Sequence, residues 1–249
     1  MTSEAWDLAH AAAETAGVTL RPLTSLADAD AILRVMIATW GEHQLLPREE
    51  ILALAESGNV PWGAEAGGET IGYVLGWAGI DPEEGLHLHS HMLAALPDRR
   101  HRGIGYALKL AQRASCLDQG IHLVHWTFDP MIARNAWFNL GKLGATADRF
   151  RRDFYGAMGD SLNAGERSDR LVVRWELDRT PALRTAPASH EEVVVPREYE
   201  ELRTADRAAS FAERDRVAEA LEDSFARGNI VVAFDGPSAT YALAPEPSA

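Results

Sequence analysis

Two groups of residues in this sequence could do chemistry. One is a run of alternate histidines, His87, His89 and His91; the other is the basic loop Arg99-Arg100-His101-Arg102-Gly103-Ile104-Gly105 that follows it. Imidazole titrates close to neutral pH, which suits it to accept and return protons. His-x-His on one strand face could instead offer two nitrogens to Zn²⁺. The loop runs into the Ala- and Leu-rich stretch from Tyr106. Glycines there let the main chain approach a ligand, and the first unpaired N–H groups and positive dipole end of a helix favour an anion. The loop therefore reads as a phosphate cradle. It is not a Walker loop, because no Gly-Lys-Ser/Thr follows the first glycine, and it is not a dinucleotide fingerprint, because Leu108 stands where a third glycine is needed.

The positioning elements follow from hydrophobic periodicity. Residues 4–16 are helix-compatible, Val18 to Leu23 reads as a strand, and Asp28 to Trp40 as a helix buried through Ala31, Ile32, Val35, Met36 and Ala38. Pro47-Arg48-Glu49-Glu50 opens a second helix. Val60–Ala66 and Glu69–Ile80 form a hairpin about Gly67-Gly68. Leu86 to Ala95 is the strand of the histidines: alternation sends Leu86, Leu88, Ser90 and Met92 to one face and the imidazoles to the other. Apolar Ala107, Leu110, Ala111, Ala114 and Leu117 define a helix ending at Gly120. Ile121 to Phe128 reads as a central strand, Met131 to Leu143 as a helix, and Leu171 to Leu177 as a late strand. After about residue 179 a Pro- and Ala-rich linker leads to a short strand at Val193–Val195, a charged helical stretch Tyr199–Gly228 and a closing hairpin about Asp235-Gly236.

A chain of 249 residues that is 46% hydrophobic can bury a substantial core. With 24 basic and 37 acidic residues, net −13, it lacks the positive footprint expected of a nucleic-acid binder. No stretch approaches the ~20 apolar residues of a membrane span, and Cys116 is the only cysteine, so no internal disulfide is expected. A cytoplasmic location without membrane or nucleic-acid partners is the expectation.

The element Arg100-x-x-Gly103-x-Gly105, preceded by Leu93-x-Ala95-x-Pro97, resembles the signature of the GNAT superfamily of acyl-CoA-dependent N-acyltransferases. Ser90-His91-Met92, Trp126-Thr127-Phe128-Asp129-Pro130 with Arg134-Asn135-Ala136, and Asp169-Arg170-Leu171 are similar to a bacterial group of predicted GNAT acyltransferases of undefined substrate. The resemblance spans about residues 18–178. It implies an α/β (α+β) fold: a mixed, mostly antiparallel central sheet flanked by helices. Residues 1–178 would form the acyl-CoA-binding catalytic domain and 179–249 an α+β C-terminal appendage. Acetyl-CoA or another acyl-CoA would be the co-substrate. Its diphosphate would be held by Arg100, His101, Arg102, Gly103, Ile104 and Gly105, with Arg99 or Arg102 within reach of the 3′-phosphate. The main chain from Leu93 to Ala95 would serve the thioester oxygen.

Acyl transfer needs a base to neutralise the ammonium, a donor for the carbonyl oxygen and, optionally, an acid for the leaving thiolate. Some family members place a glutamate on the corresponding strand, and the same offset from Ala95 here gives His89, with His91 on the same face. The bland alternative is that both are ordinary packed histidines. The family's usual acid is absent: alignment on Ala136 and Gly144 puts Ala133 at its Asn and Leu140 at its Tyr. Asn135 and Asn139 remain to face the pantetheine amides, and Tyr155 could substitute as the acid or simply anchor its loop. Three readings stay open: a transferase of an acetyl or other short acyl group to a small-molecule amine such as an amino acid, a catalytically weak acyl-CoA-binding module, and a histidine-based metal enzyme. Base rates allow a homodimer.

Overall fold

The computed structural model describes residues 2–42, 45–100, 102–156 and 165–246. The chain divides after Val124 into two compact units.

In the first unit, α1 (Thr2–Ala16), β1 (Thr19–Pro22), α2 (Leu26–Trp40) and α3 (Arg48–Glu56) precede the hairpin strands β2 (Trp62–Ala66) and β3 (Glu69–Asp81). Strand β4 (Gly85–Ala95) and a 3₁₀ turn at Pro97–Arg99 then lead to α4 (Ile104–Asp118). The strands lie in the order β1-β2-β3-β4, each pair antiparallel. Helix α2 starts earlier than apolar spacing alone predicts. Ser25 and Asp28 form a reciprocal capping box that satisfies two otherwise orphaned N–H groups. Two cores sandwich this sheet. Tyr73 and Leu75 join Ile32, Val35 and Met36 of α2 and Ile51 of α3, whereas Val74 joins Ala13 of α1 and Ile104, Ala107 and Leu108 of α4. Trp6 of α1 donates its indole N–H to Asp118 at the end of α4, at 2.8 Å.

Strand β4 departs from the strict alternation expected of it. Leu75 pairs with Met92 and Gly76 with Ser90, so His91 is an extra residue in the ladder. The bulge resets the phase: Met92 packs beside Tyr73 and Leu75, and Leu93 and Ala95 pack with the α1 and α4 core. Met92 is therefore on the other face from the one that alternation assigns it. Gly76 is required opposite the bulge, since a Cβ built there would come 2.3 Å from the His89 carbonyl oxygen and 2.9 Å from the Ser90 Cα.

The second unit contains β5 (Leu123–Phe128) from His125 on, α5 (Ala133–Ala136), β6 (Thr146–Arg151), β7 (Arg170–Glu176), β8 (Glu191–Val194), α6 (Tyr199–Ala205), α7 (Arg207–Ala226), β9 (Asn229–Asp235) and β10 (Thr240–Pro245). Its strands run in the order β5-β7-β6-β9-β10-β8, with antiparallel pairing of β6 with β7 and β9, and of β10 with β9 and β8. The helix expected over Met131–Leu143 begins as α5 but widens into a π-helical turn over Trp137–Lys142. Gly141 lies beneath the Trp137 ring, where a Cβ would meet it at 2.4 Å. The charged stretch after Tyr199 is two helices, broken where the Asp206 side chain caps α7 by accepting from the Ala209 N–H at 3.0 Å.

Candidate active site

The phosphate-cradle loop and the histidine strand both lie in the first unit. Gly103 adopts the left-handed conformation (φ 86°) and caps α4 with no side chain engaged. The first helical hydrogen bond runs from the Ala107 N–H to the Gly103 carbonyl, leaving the amides of Ile104, Gly105 and Tyr106 ahead of it. Gly103 itself is exposed, and Arg99, Arg100 and Arg102 are exposed around it. Arg99 reaches Asp98 at 3.3 Å. Peptide N–H groups at an uncapped helix start, with cationic side chains beside them, are an arrangement that favours an anion. The residue types fit a CoA diphosphate: uncapped amides, a glycine where the chain turns, and exposed guanidinium groups beside it. Ile104 is buried in the α4 core, so its part in the cradle is its main chain. His101 lies outside the described residues.

On β4, His89 and His91 share one face with Trp77 of β3. The Trp77 ring centroid is 5.2 Å from that of His89 and 4.7 Å from that of His91, and the two imidazoles are 5.8 Å apart. Alternation across Ser90 puts both imidazoles on the Trp77 face, and the bulge shifts the phase only from Met92 on. Burial pushes the His91 pKa below its ordinary value, so that imidazole is neutral at pH 7 and able to accept a proton. His87 is nearer the hairpin end, its Nδ1 3.3 Å from the Gly85 carbonyl oxygen. Among the described residues, no group of three or more His, Cys, Asp or Glu side chains is placed to hold a metal ion.

Sequence reasoning missed one group here. Lys109 of α4 lies outside the apolar stripe of its helix yet is only 2% exposed. Its ammonium group donates to the Ser90 hydroxyl at 2.8 Å and to the Gln112 side-chain oxygen at 3.0 Å. Burial, partly opposed by the Cys116 thiol, pushes its pKa down to about 7.

The remaining predicted residues lie in the second unit. Asn135 is exposed, whereas Asn139 is buried and accepts the Trp126 indole N–H at 3.1 Å. The π-helical turn separates these positions, so they do not present the single face that four-residue spacing in an α-helix predicts. Leu140 is fully buried. Tyr155 is 44% exposed, its hydroxyl 3.1 Å from the Thr127 hydroxyl and its ring 5.3 Å from the Arg170 guanidinium carbon. Asp129 caps the turn after β5, accepting the Met131 N–H at 2.9 Å, and is also bound by the guanidinium of Arg214 at 2.9 and 3.2 Å. A cleft of about 890 Å³ in this unit is lined by, among others, Met131, Arg134, Trp137, Tyr199 and Glu200, and had no counterpart in the sequence patterns. No helix among the described residues is long and apolar enough to cross a membrane.

Residues 29–141 match the model of the acetyltransferase (GNAT) family. Comparison with curated proteins returns no match. Among solved structures, Naa20 of Chaetomium thermophilum in complex with a bisubstrate analogue superimposes with a TM-score of 0.52 at 19% identity, over 65% of this chain and 88% of that one. The ribosomal-protein-S18-alanine N-acetyltransferase of Escherichia coli gives 0.51 at 14% identity, over 70% and 99%. Salmonella typhimurium yncA, solved with its cofactor acetyl-CoA, gives 0.52 at 18% identity, over 69% and 98%. At these identities the likeness is one of fold. The match over residues 29–141 bears on the chemistry: it is to the GNAT acetyltransferases, a family of enzymes that transfer an acyl group from acetyl-CoA.

Proposed function

We propose that the chain moves a short acyl group, acetyl or a larger one such as succinyl, from acyl-CoA to the primary amine of a small molecule, an amino acid being one candidate, by direct attack on the thioester. The observation that carries this reading is the uncapped, exposed start of α4 at Gly103, which offers peptide N–H groups to an anion beside three arginines. Acyl-CoA supplies an activated carbonyl and a thiol leaving group. In this reading the loop holds the diphosphate, and the main chain between Leu93 and Ala95 donates to the thioester oxygen. His89 or His91 takes the proton of the attacking amine, directly or through water. His91, kept neutral by its partly buried setting against Trp77, suits that role. Tyr155 is the proposed proton donor to the departing thiolate. A thiol of pKa ~8.5 leaves tolerably without help, so this donor would be worth at most the ~10²–10⁴-fold typical of proton-transfer assistance. The acceptor amine attacks in its neutral form.

A second reading, a weakly catalytic acyl-CoA-binding module, is favoured by one observation: the turn Trp137–Lys142 carries no hydroxyl side chain, with the buried Leu140 where the resembled family has its tyrosine. Two measurements separate the readings. Calorimetric titration with coenzyme A should show binding that Gly103→Val weakens at least tenfold, because a β-branched residue is strained at φ 86° and crowds the cradle. Thiol release across a panel of amines and amino acids with acetyl- and succinyl-CoA should show turnover above background. Binding without turnover selects the module, and binding unaffected by Gly103→Val removes the cradle from the account.

A further inference from the structure

We propose that Lys109 is a positioning residue for the histidine strand, tying the cofactor-side helix α4 through Ser90 to the strand segment that holds His89 and His91 against Trp77. The inference rests on the reading of those imidazoles as proton acceptors.

Three observations converge on it. First, Lys109, Ser90 and Gln112 are 2%, 5% and 5% exposed, so their hydrogen bonds act in a desolvated setting where geometry is tightly held. The Lys109 ammonium group reaches Ser90 at 2.8 Å and Gln112 at 3.0 Å, and Gln112, one turn further along α4, steadies the lysine's aim. Second, Ser90 is the residue between the two candidate bases, and the ladder slips by one residue immediately after it. Its backbone is pressed from the neighbouring strand by Gly76, where not even a methyl group fits. Its side chain is held from α4 by Lys109. A strand clamped on both sides at one residue cannot let the bulge migrate, and migration by one position would turn an imidazole to the opposite face. Third, Lys109 lies five residues into α4, roughly 7.5 Å along the helix from its phosphate-binding start. One rigid element thereby fixes both the amides of the cradle and the register of the histidines. An apolar residue would fill the space at lower desolvation cost, so the burial of an amine at this position calls for a polar task. The titratable group facing Lys109 on its own helix is Cys116, whose thiol burial pushes up to about 12.

The test uses the full chain with Lys109→Met, Ser90→Ala and Ser90→Thr. Imidazole Cε1–H resonances of His89 and His91 are followed by NMR against pH, alongside acyl-transfer kinetics, coenzyme A titration and thermal melts. Lys109→Met and Ser90→Ala should shift the two resonances and their titration midpoints and lower kcat on the order of tenfold or more, with KM for acyl-CoA within about twofold. Ser90→Thr, which keeps the hydroxyl, should retain the wild-type spectra and rate. Unchanged imidazole spectra and midpoints in Ser90→Ala overturn the proposal, and so does a rise in KM at constant kcat. Should Lys109→Met fail to fold, Ser90→Ala decides. Should the wild-type chain turn over no amine at all, the acyl-transfer reading fails while the imidazole spectra still decide whether Lys109 positions them.

Discussion

The buried lysine makes the stability of this protein depend on pH in a way that one substitution exposes. Lys109 has a pKa of about 7 in the folded chain because its ammonium form is desolvated, against ~10.4 in an unfolded chain. Between these values the unfolded chain binds the extra proton, so stability rises with pH from about 7 to about 10, and below pH 7 the full cost of burying the charge is present. Integrating the difference in bound protons from pH 7 to pH 9 gives about 2 kcal/mol for this one side chain. Solvent screening does not reduce the figure, since the residue is 2% exposed. Lys109→Met keeps the length and apolar stem and removes the proton site. Urea denaturation of both proteins at pH 7 and pH 9 cancels every other titrating group in the difference, including Cys116. Wild type should gain about 2 kcal/mol on the variant between the two pH values. A difference independent of pH would show that the amine is not paying a desolvation cost, and the account of Lys109 given above would be wrong.

Further predictions test other parts of the molecule. Gly76→Ala places a Cβ 2.3 Å from the His89 carbonyl oxygen, a backbone clash expected to cost about 1–3 kcal/mol or more and to disturb the His89 and His91 resonances; a melt and spectra equal to wild type would refute the bulge geometry. Arg214, 1% exposed between Asp129 and Glu166, leaves the buried Glu166 carboxylate and the partly buried Asp129 carboxylate behind when replaced by Met. A loss of about 3–5 kcal/mol in urea denaturation is expected, and a loss below about 1 kcal/mol would mean water reaches the acids. The His91 pKa is depressed by burial, so the acid limb of kcat should have its midpoint below the ordinary histidine value of about 6.5 and should move or vanish in His91→Ala. The same shift means the unfolded chain binds the proton first as pH falls, so stability contributed at this position is lost on acidification through about 6.5. An acid limb centred above that value would assign the proton to another group.

The order of elements was readable because it depends on near neighbours. Apolar spacing marks α2 and α4, Gly67-Gly68 marks the β2–β3 hairpin, and Asp235-Gly236 marks the end of β9 and the start of the turn to β10. The glycine turn into α4 was readable for the same reason: Gly103 and the uncapped residues after it are contiguous, and what they offer is the peptide group. That His89 and His91 would share a face was also read correctly, although from an unbroken two-residue repeat that the strand does not keep.

What the sequence determined by itself was therefore whatever the chain specifies within a few residues. Tertiary structure alone decided the rest, because each feature depends on a partner distant along the chain. The bulge after Ser90 exists against Gly76 of another strand. Lys109 is buried by the sheet that α4 covers, where its helical stripe alone would leave it in solvent. Asp129, which accepts the Met131 N–H in the turn after β5, is also held by Arg214, 85 positions away. The widened turn at Trp137–Lys142 separates Asn135 from Asn139. Local periodicity reports which way a residue points when its element is regular; packing against remote segments determines where the element ceases to be regular and which polar side chains are buried.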